Sequence, residues 1–199
     1  IKTFLLNSFV TFDNISTLAV GCGPGSFTGI RTIISAAKGI QTSNKNIKNI
    51  GINSLAGLAM SVLIEAKQKK IKYILSSVDS KRDDAFVQLF KINYQNVDSL
   101  FLCAENKVEA IKIESLDKYI SFNNLNSEDI LFVGYQSEFL KNKIKNLKTL
   151  DKINQVPNAL WVAQLAFELV NKNIDTKSTT LGFDNFKPIY VRSPQINKL

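Results

Sequence analysis

Apolar residues change their spacing along this chain at a small number of places, and each change marks an element. From Phe27 onward, Phe27, Ile30, Ile33, Ile34 and Ala37 recur at threes and fours, while Arg31, Ser35 and Lys38 share the other face. That spacing predicts a helix. Ser26 is a natural N-cap for it, and Gly39 with the polar run Gln41 to Asn46 is expected to end it. Before the helix, Asn14 to Val20 reads as a short buried strand running into a Gly-Pro-rich segment, and Ile1 to Asn7 reads as the end of an earlier helix. After it, Ile47 to Ile52 is a second strand. Asn53 or Ser54 then caps a helix carrying Leu55, Leu58, Ala59, Val62, Leu63 and Ala66 on one face. Strand, helix, strand, helix in this order argues for parallel pairing through right-handed crossovers.

Beyond the lysine-rich stretch at Lys70 the pattern shifts. Ile71 to Val78 and Ala85 to Ile92 are strand-like and flank the polar turn Asp79 to Asp84, which predicts an antiparallel hairpin. A third strand is expected near Ser99 to Cys103, and another at Ile130 to Val133, leading into a helix over Gln136 to Lys145. Pro157 suits the first turn of a helix running to Val170, with Ala159, Leu160, Ala163, Ala166, Phe167 and Val170 on a broad apolar face. Lys187 to Pro194 is expected to be extended, because residues before proline avoid helical geometry. Hairpin, strand, helix, strand, helix is the order of a ribonuclease-H-like lobe. The fold expected is therefore α/β: two ribonuclease-H-like lobes of mixed sheet flanked by helices. The first would span 1–69 and lack its N-terminal strands, and the second would span 70–199 with a C-terminal tail.

Composition narrows the chemistry. There is no histidine among the 199 residues, so neither a Ser-His-Asp or Cys-His triad nor a His-ligated metal can be built from this chain. Its two cysteines, Cys22 and Cys103, form no disulfide framework and no metal cluster. Apolar runs are too short to span a bilayer, and a soluble cytoplasmic protein without membrane contact is expected. The net charge of +8 is compatible with nucleic-acid contact, but the lysines are scattered along helix faces without interleaved aromatics, which favours solvated surface.

Gly21 to Ile40 (GCGPGSFTGIRTIISAAKGI) holds the most informative residues. Gly23, Gly25 and Gly29 permit a tight strand-to-helix turn. The helix amino end could cradle an anion, with Arg31 one turn in. The spacing matches neither the dinucleotide fingerprint nor the Walker loop, so a structural turn and an anion site both stay open. The run Gly23-Pro24-Gly25-Ser26-Phe27-Thr28-Gly29-Ile30-Arg31 closely resembles the signature of the TsaB (YeaZ) family, subunits of the tRNA threonylcarbamoyladenosine system. Two further stretches resemble that family in the same order. One is an aspartate-led hairpin, Val78 to Phe90, headed by Asp79; the other is a C-terminal ending carried by Pro188, Tyr190 and Arg192. Cys22 stands where arginine is common in the family, and Asp83 where the hairpin often has glycine, so Asp83 is expected to take up the turn.

The resemblance implies a member of the sugar kinase, heat-shock ATPase and actin superfamily. Members of the family carry a further stretch, with the first strands and most of the first helix, ahead of the residues matching Ile1. Without that stretch the first sheet is expected to have an exposed edge and an open core. The catalytic paralogue, TsaD, binds its metal through two histidines that correspond here to Ser54 and Leu58, so no metal, no cofactor and no catalytic residue is expected. The resemblance instead implies a non-catalytic scaffold. Its partners would be the TsaD-type paralogue, the TsaE-type ATPase, a possible second copy of itself, and tRNA through the complex. The helix from Phe27 to Ile40 is the expected docking surface, with Phe27, Ile30, Arg31, Ile33, Ile34 and Ala37 as partner-binding residues and small Thr32, Ser35 and Ala36 allowing close approach. Asp79 is expected to be a turn residue rather than a catalytic carboxylate, because no second carboxylate accompanies it. Tyr190 and Arg192 are expected to dock the tail. The alternatives are an active nucleotide-dependent transferase or ATPase of the same superfamily, and a basic tRNA-binding module.

Overall fold

The computed structural model describes residues 2–94, 101–149, 156–175 and 180–192. In chain order, α1 (Lys2–Asn7) precedes β1 (Thr17–Gly21), α2 (Phe27–Ser43), β2 (Lys48–Ile52), α3 (Ser54–Met60) and α4 (Leu63–Gln68). Then follow β3 (Tyr73–Asp79), β4 (Ala85–Ile92), β5 (Leu102–Ala104), β6 (Glu109–Ile111), α5 (Leu116–Phe122) and β7 (Ile130–Gly134). The chain continues with α6 (Ser137–Lys143), β8 (Lys148–Thr149), α7 (Ala159–Asn171) and β9 (Gly182–Phe183).

Two sheets result. The larger has the order β5-β4-β3-β7-β8, with β6 also pairing β4. Its hairpin, the antiparallel pair expected around the polar turn, pairs Asp79 with Ala85 at the turn and Tyr73 with Lys91 at the far end. β7 runs parallel to β3, and β8 parallel to β7. Antiparallel hairpin, third strand and parallel β-α-β give the ribonuclease-H-like order expected. The smaller sheet is β1-β2-β9: β1 and β2 are parallel across the α2 crossover, and β9 returns antiparallel against β2. In the large sheet β7 has β3 beside it. In the small sheet, among the described residues, the corresponding edge of β1 is unpaired.

α3 holds the two sheets together. Its sequence SLAGLAM is apolar or small on every side, and every residue from Ser54 to Met60 is buried. Leu55, Leu58 and Ala59 share one core with Ile50 and Ile52 of β2, Phe90 of β4, Leu131 of β7, and Val162 and Leu169 of α7. Asn53, the cap of α3, donates from Nδ2 to Gln88 Oε1 of β4 at 2.7 Å and to the Thr180 carbonyl at 3.2 Å, a buried polar link between the sheets. The single helix expected from Leu55 to Ala66 is two helices. Ser61 Oγ donates to the Leu58 carbonyl at 2.6 Å, and Val62 leaves helical geometry there, so the chain turns before α4 resumes.

α2 starts at the expected N-cap, where Ser26 Oγ accepts the Gly29 N–H at 3.3 Å. It passes Gly39 and ends inside the polar run expected to stop it. Its last residue is Ser43, with the Thr42 and Ser43 hydroxyls donating to the carbonyls of Lys38 and Ile40. A Cβ at Gly39 would meet nothing within 4 Å. Gly39→Ala is therefore expected to stabilise the protein by roughly 0.5–1 kcal/mol, read as a higher melting temperature, because alanine restricts the unfolded chain without a clash.

Two further expectations need correction. Helix α7 begins at Ala159 behind an Asn158 cap, so Pro157 lies just ahead of it; Asn158 Oδ1 accepts the Trp161 N–H at 3.2 Å. In the hairpin turn the left-handed residue is Lys81 (φ 62°), not Asp83. The Asp79 carboxylate fixes that geometry by accepting the Lys81 N–H at 2.7 Å. The expected strand at Ser99 to Cys103 appears as β5; Ser99 and Leu100, and likewise Ser193 and Pro194 of the tail, lie outside the described residues.

Candidate functional site

The glycine-rich turn is built against α3 and the tail. Cys22 continues β1 by donating its N–H to the Ile52 carbonyl at 2.7 Å, and Gly23 then reverses the chain at φ 97°. Gly23 N–H donates to Ser54 Oγ at 3.2 Å, and Ser54 N–H donates back to the Gly23 carbonyl at 2.7 Å. A Cβ on Gly23 would lie 2.7 Å from Ile30 Cδ1, so the position needs both the left-handed backbone and the missing side chain. Pro24 is buried behind it, and Gly25 leads to the Ser26 cap. Ser54 and Leu58 thus carry structural tasks, Ser54 tying the turn and Leu58 filling the core.

Cys22 is fully buried beside Gly51, where a Cβ would come within 2.7 Å of its Sγ. The thiol therefore occupies a slot that a longer side chain could not enter without displacing β2. Burial pushes its pKa up to about 11. Cys103 is exposed. A thiol titration of the native protein is expected to show one fast-reacting cysteine, Cys103, and a second, Cys22, that reacts only on unfolding; two fast thiols would contradict the packing.

The three stretches that stood apart in sequence meet here. Ile189 N–H donates to the Cys22 carbonyl at 2.8 Å, anchoring the tail to the turn beside half-buried Pro188. Phe186 is buried with Val20, Cys22, Ile34 and Ala37. Arg31 Nε donates to Tyr190 Oη at 3.1 Å, and its guanidinium lies 3.7 Å from the Phe27 ring centroid. Phe27 and Tyr190 rings are 5.8 Å apart. Arg192 pairs with Asp84, whose carboxylate also accepts the Ser80 hydroxyl, so the tail reaches the hairpin turn as well. Asp79, at the end of β3, is held by Lys81 through both its backbone N–H and its ammonium, each at 2.7 Å. The Lys81 hydrogen bond keeps the Asp79 carboxyl below the usual carboxylate range. It is occupied as a turn cap. Sequence reasoning missed Ile189, Phe186 and Ser54 as anchors of the turn, since nothing local marks a contact made across the chain.

The docking residues expected on α2 divide between two faces. Ile34 and Ala37 are buried against the sheet, and Ile30 is half-buried; they belong to the core, because the helix must cover β1 and Phe186. Phe27, Arg31, Thr32, Ile33, Ser35 and Ala36 are exposed, with Ile33 at 50% and Phe27 at 47%. Ile33, Ala36 and Ile40 line one wall of an apolar groove of about 890 Å³. Its floor includes Leu18 and Val20 of β1, and its other wall is the start of α7. The groove runs beside the edge of β1 that is unpaired among the described residues. Among the described residues no group of three or more His, Cys, Asp or Glu could hold a metal ion, and no helix is long and apolar enough to cross a membrane.

A parallel β-α-β unit, packed through a buried helix on a ribonuclease-H-like sheet, defines a two-lobed mixed α/β protein. The family described as TsaD, tRNA N6-adenosine threonylcarbamoyltransferase, matches residues 1–196. The protein named tRNA threonylcarbamoyladenosine biosynthesis protein TsaB in Buchnera aphidicola subsp. Schizaphis graminum is 32% identical over 117 residues, 59% of this chain and 52% of that protein. The chain thus spans about half the length of that relative. The Haemophilus influenzae protein of the same name is 25% identical over 198 residues, covering 97% of this chain and 77% of that one. YeaZ from Pseudomonas aeruginosa shares the fold, with a TM-score of 0.70 at 16% identity over 94% of this chain and 79% of that chain. The chain belongs to the TsaD-type family, in its TsaB (YeaZ) branch.

Proposed function

We propose that this chain is a non-catalytic accessory subunit in tRNA threonylcarbamoyladenosine biosynthesis, organised as lobes 1–69 and 70–199, and that α2 docks a TsaD-type catalytic paralogue. The observation that carries the reading is the outward face of α2. Seventeen residues of helix cover the small sheet with only Ile34 and Ala37 fully buried, while Phe27 and Ile33 stand in solvent amid small Thr32, Ser35 and Ala36. A monomer gains nothing from exposing such residues together, whereas a partner helix could approach closely along them. A stable docking of this kind buries roughly 800 Å² on each partner. The lack of histidine, with Ser54 and Leu58 engaged in the turn and the core, argues against the chain supplying the paralogue's metal chemistry. A TsaE-type ATPase and a second copy of the chain are further partners of the same assembly, with tRNA reached through the complex in the cytoplasm.

Size-exclusion chromatography with light scattering tests this directly, with the chain mixed with its catalytic paralogue. A discrete heteromeric peak is expected. Separate peaks from a full-length, folded chain would remove the accessory reading and bring forward the alternative, an active nucleotide-dependent enzyme of the superfamily, to be checked by ATP turnover of the chain alone.

A further inference from the structure

We propose that the small cleft between the first turn of α2, the β3–β4 turn and the tail is a contact site for the phosphate backbone of single-stranded or looped RNA. The cleft shares Gly25, Ser26, Ile30 and Lys81 with the apolar groove and Phe27 with the exposed face of α2, so RNA contact and partner docking would compete at that end of the helix. Its volume is about 290 Å³, and its lining includes Ser26, Lys81, Arg82, Tyr190 and Arg192. Among the described residues no Asp or Glu lines it. Four cations surround it when Arg31, hydrogen-bonded to Tyr190, is counted. Asp79 neutralises Lys81, and Asp84 neutralises Arg192, from outside the lining. With the exposed Asp83 of the same turn set against Arg82, one positive charge is left in excess, and Arg31 and Arg82 bring it from two different parts of the chain. The first turn of α2 carries no acidic residue, so nothing opposes the positive end of that helix.

The aromatic rings decide between kinds of phosphate ligand. Tyr190 is 51% exposed and Phe27 47% exposed, 5.8 Å apart, at the rim rather than enclosing a slot. A free nucleotide is usually enclosed by an apolar pocket of about 300 to 1,000 Å³. A rim of open aromatic faces beside guanidinium groups instead suits unstacked bases passing over while the backbone is held, which is how sequence-tolerant single-strand binders work. Here the chain's positive charge lies directly beside exposed aromatic rings, with the Arg31 guanidinium 3.7 Å from the Phe27 ring centroid.

The test is fluorescence anisotropy of a labelled single-stranded RNA oligomer titrated with the full chain at several salt concentrations, with ATP binding followed in parallel. Arg82→Ala, an exposed side chain, is expected to weaken RNA binding several-fold and to lower the slope of log affinity against log salt by about 0.7, the loss of one phosphate contact. Tyr190→Leu is expected to weaken binding about tenfold with little change in slope. Lys45→Ala, beyond the far end of α2, should change neither. Equal effects of Arg82→Ala and Lys45→Ala would overturn the proposal, since binding would then follow overall charge. RNA affinity untouched by Arg82→Ala while ATP binding is lost would also overturn it, assigning the cleft to a free nucleotide.

Discussion

Gly134→Ala is expected to lower the melting temperature by about 10 °C, corresponding to a loss of roughly 3–5 kcal/mol in a chain of this size. Gly134 ends β7 at φ 110°, a conformation that side chains rarely adopt. An added Cβ would also lie 2.0 Å from the Ser77 carbonyl oxygen and 2.8 Å from Leu58 Cδ2. That carbonyl cannot simply move away, because it accepts the Tyr135 N–H at 3.1 Å while Ser77 Oγ donates to the Tyr135 carbonyl at 2.8 Å. The substitution therefore separates β3 from β7 where Asp79 and Tyr135 border the groove, and it presses on the buried helix that joins the sheets. Thermal denaturation followed by circular dichroism reads the effect. A shift no larger than that of Gly39→Ala, and of either sign, would mean that the junction is loose and that the two sheets are not locked through it.

Most of the strands and helices could be read before the structure because their periodicity is local. The hairpin announced itself through strand-like runs on both sides of a six-residue polar turn, and its register places Asp79 opposite Ala85. α2 announced its start through Ser26 and its face through Ile30, Ile34 and Ala37. β9 and β8, two residues each, were illegible because no period can be seen in so short a run; β9 exists only because β2 offers Gly51 and Ile52 an edge to pair with. The break between α3 and α4 was hidden because Val62, Leu63 and Ala66 keep helical spacing across it, and the competing bond from Ser61 to Leu58 is invisible to a pattern of apolar positions. The site followed the same rule. Its glycines and its three motifs were legible one by one, partly through family resemblance. Their meeting through Cys22 and Ile189, or Arg31 and Tyr190, was not, because contacts across almost the whole chain leave no local mark.

Ile33→Glu is expected to weaken association with the catalytic paralogue by a factor of about 100 or more while leaving the monomer folded. The two halves of that statement come from the same geometry. Ile33 is 50% exposed, so in the free chain the new carboxylate stays in water and the core is untouched. In a docked complex it would sit on the wall formed with Ala36 and Ile40, where an unpaired charge loses its hydration without gaining a partner. A central interface residue of this kind is worth about 2–4 kcal/mol, and each 1.4 kcal/mol is about tenfold in affinity. Ile34→Glu, one residue on, makes the contrast: at 5% exposure it would put the carboxylate between α2 and β1 and is expected to unfold the small sheet. The discriminating measurement is therefore a pair of readings on each variant, melting temperature and complex formation by light scattering. Ile33→Glu must keep the first and lose the second. If Ile33→Glu kept both, the exposed face of α2 would be solvated surface, and the docking site would have to be sought on the unpaired edge of β1 instead.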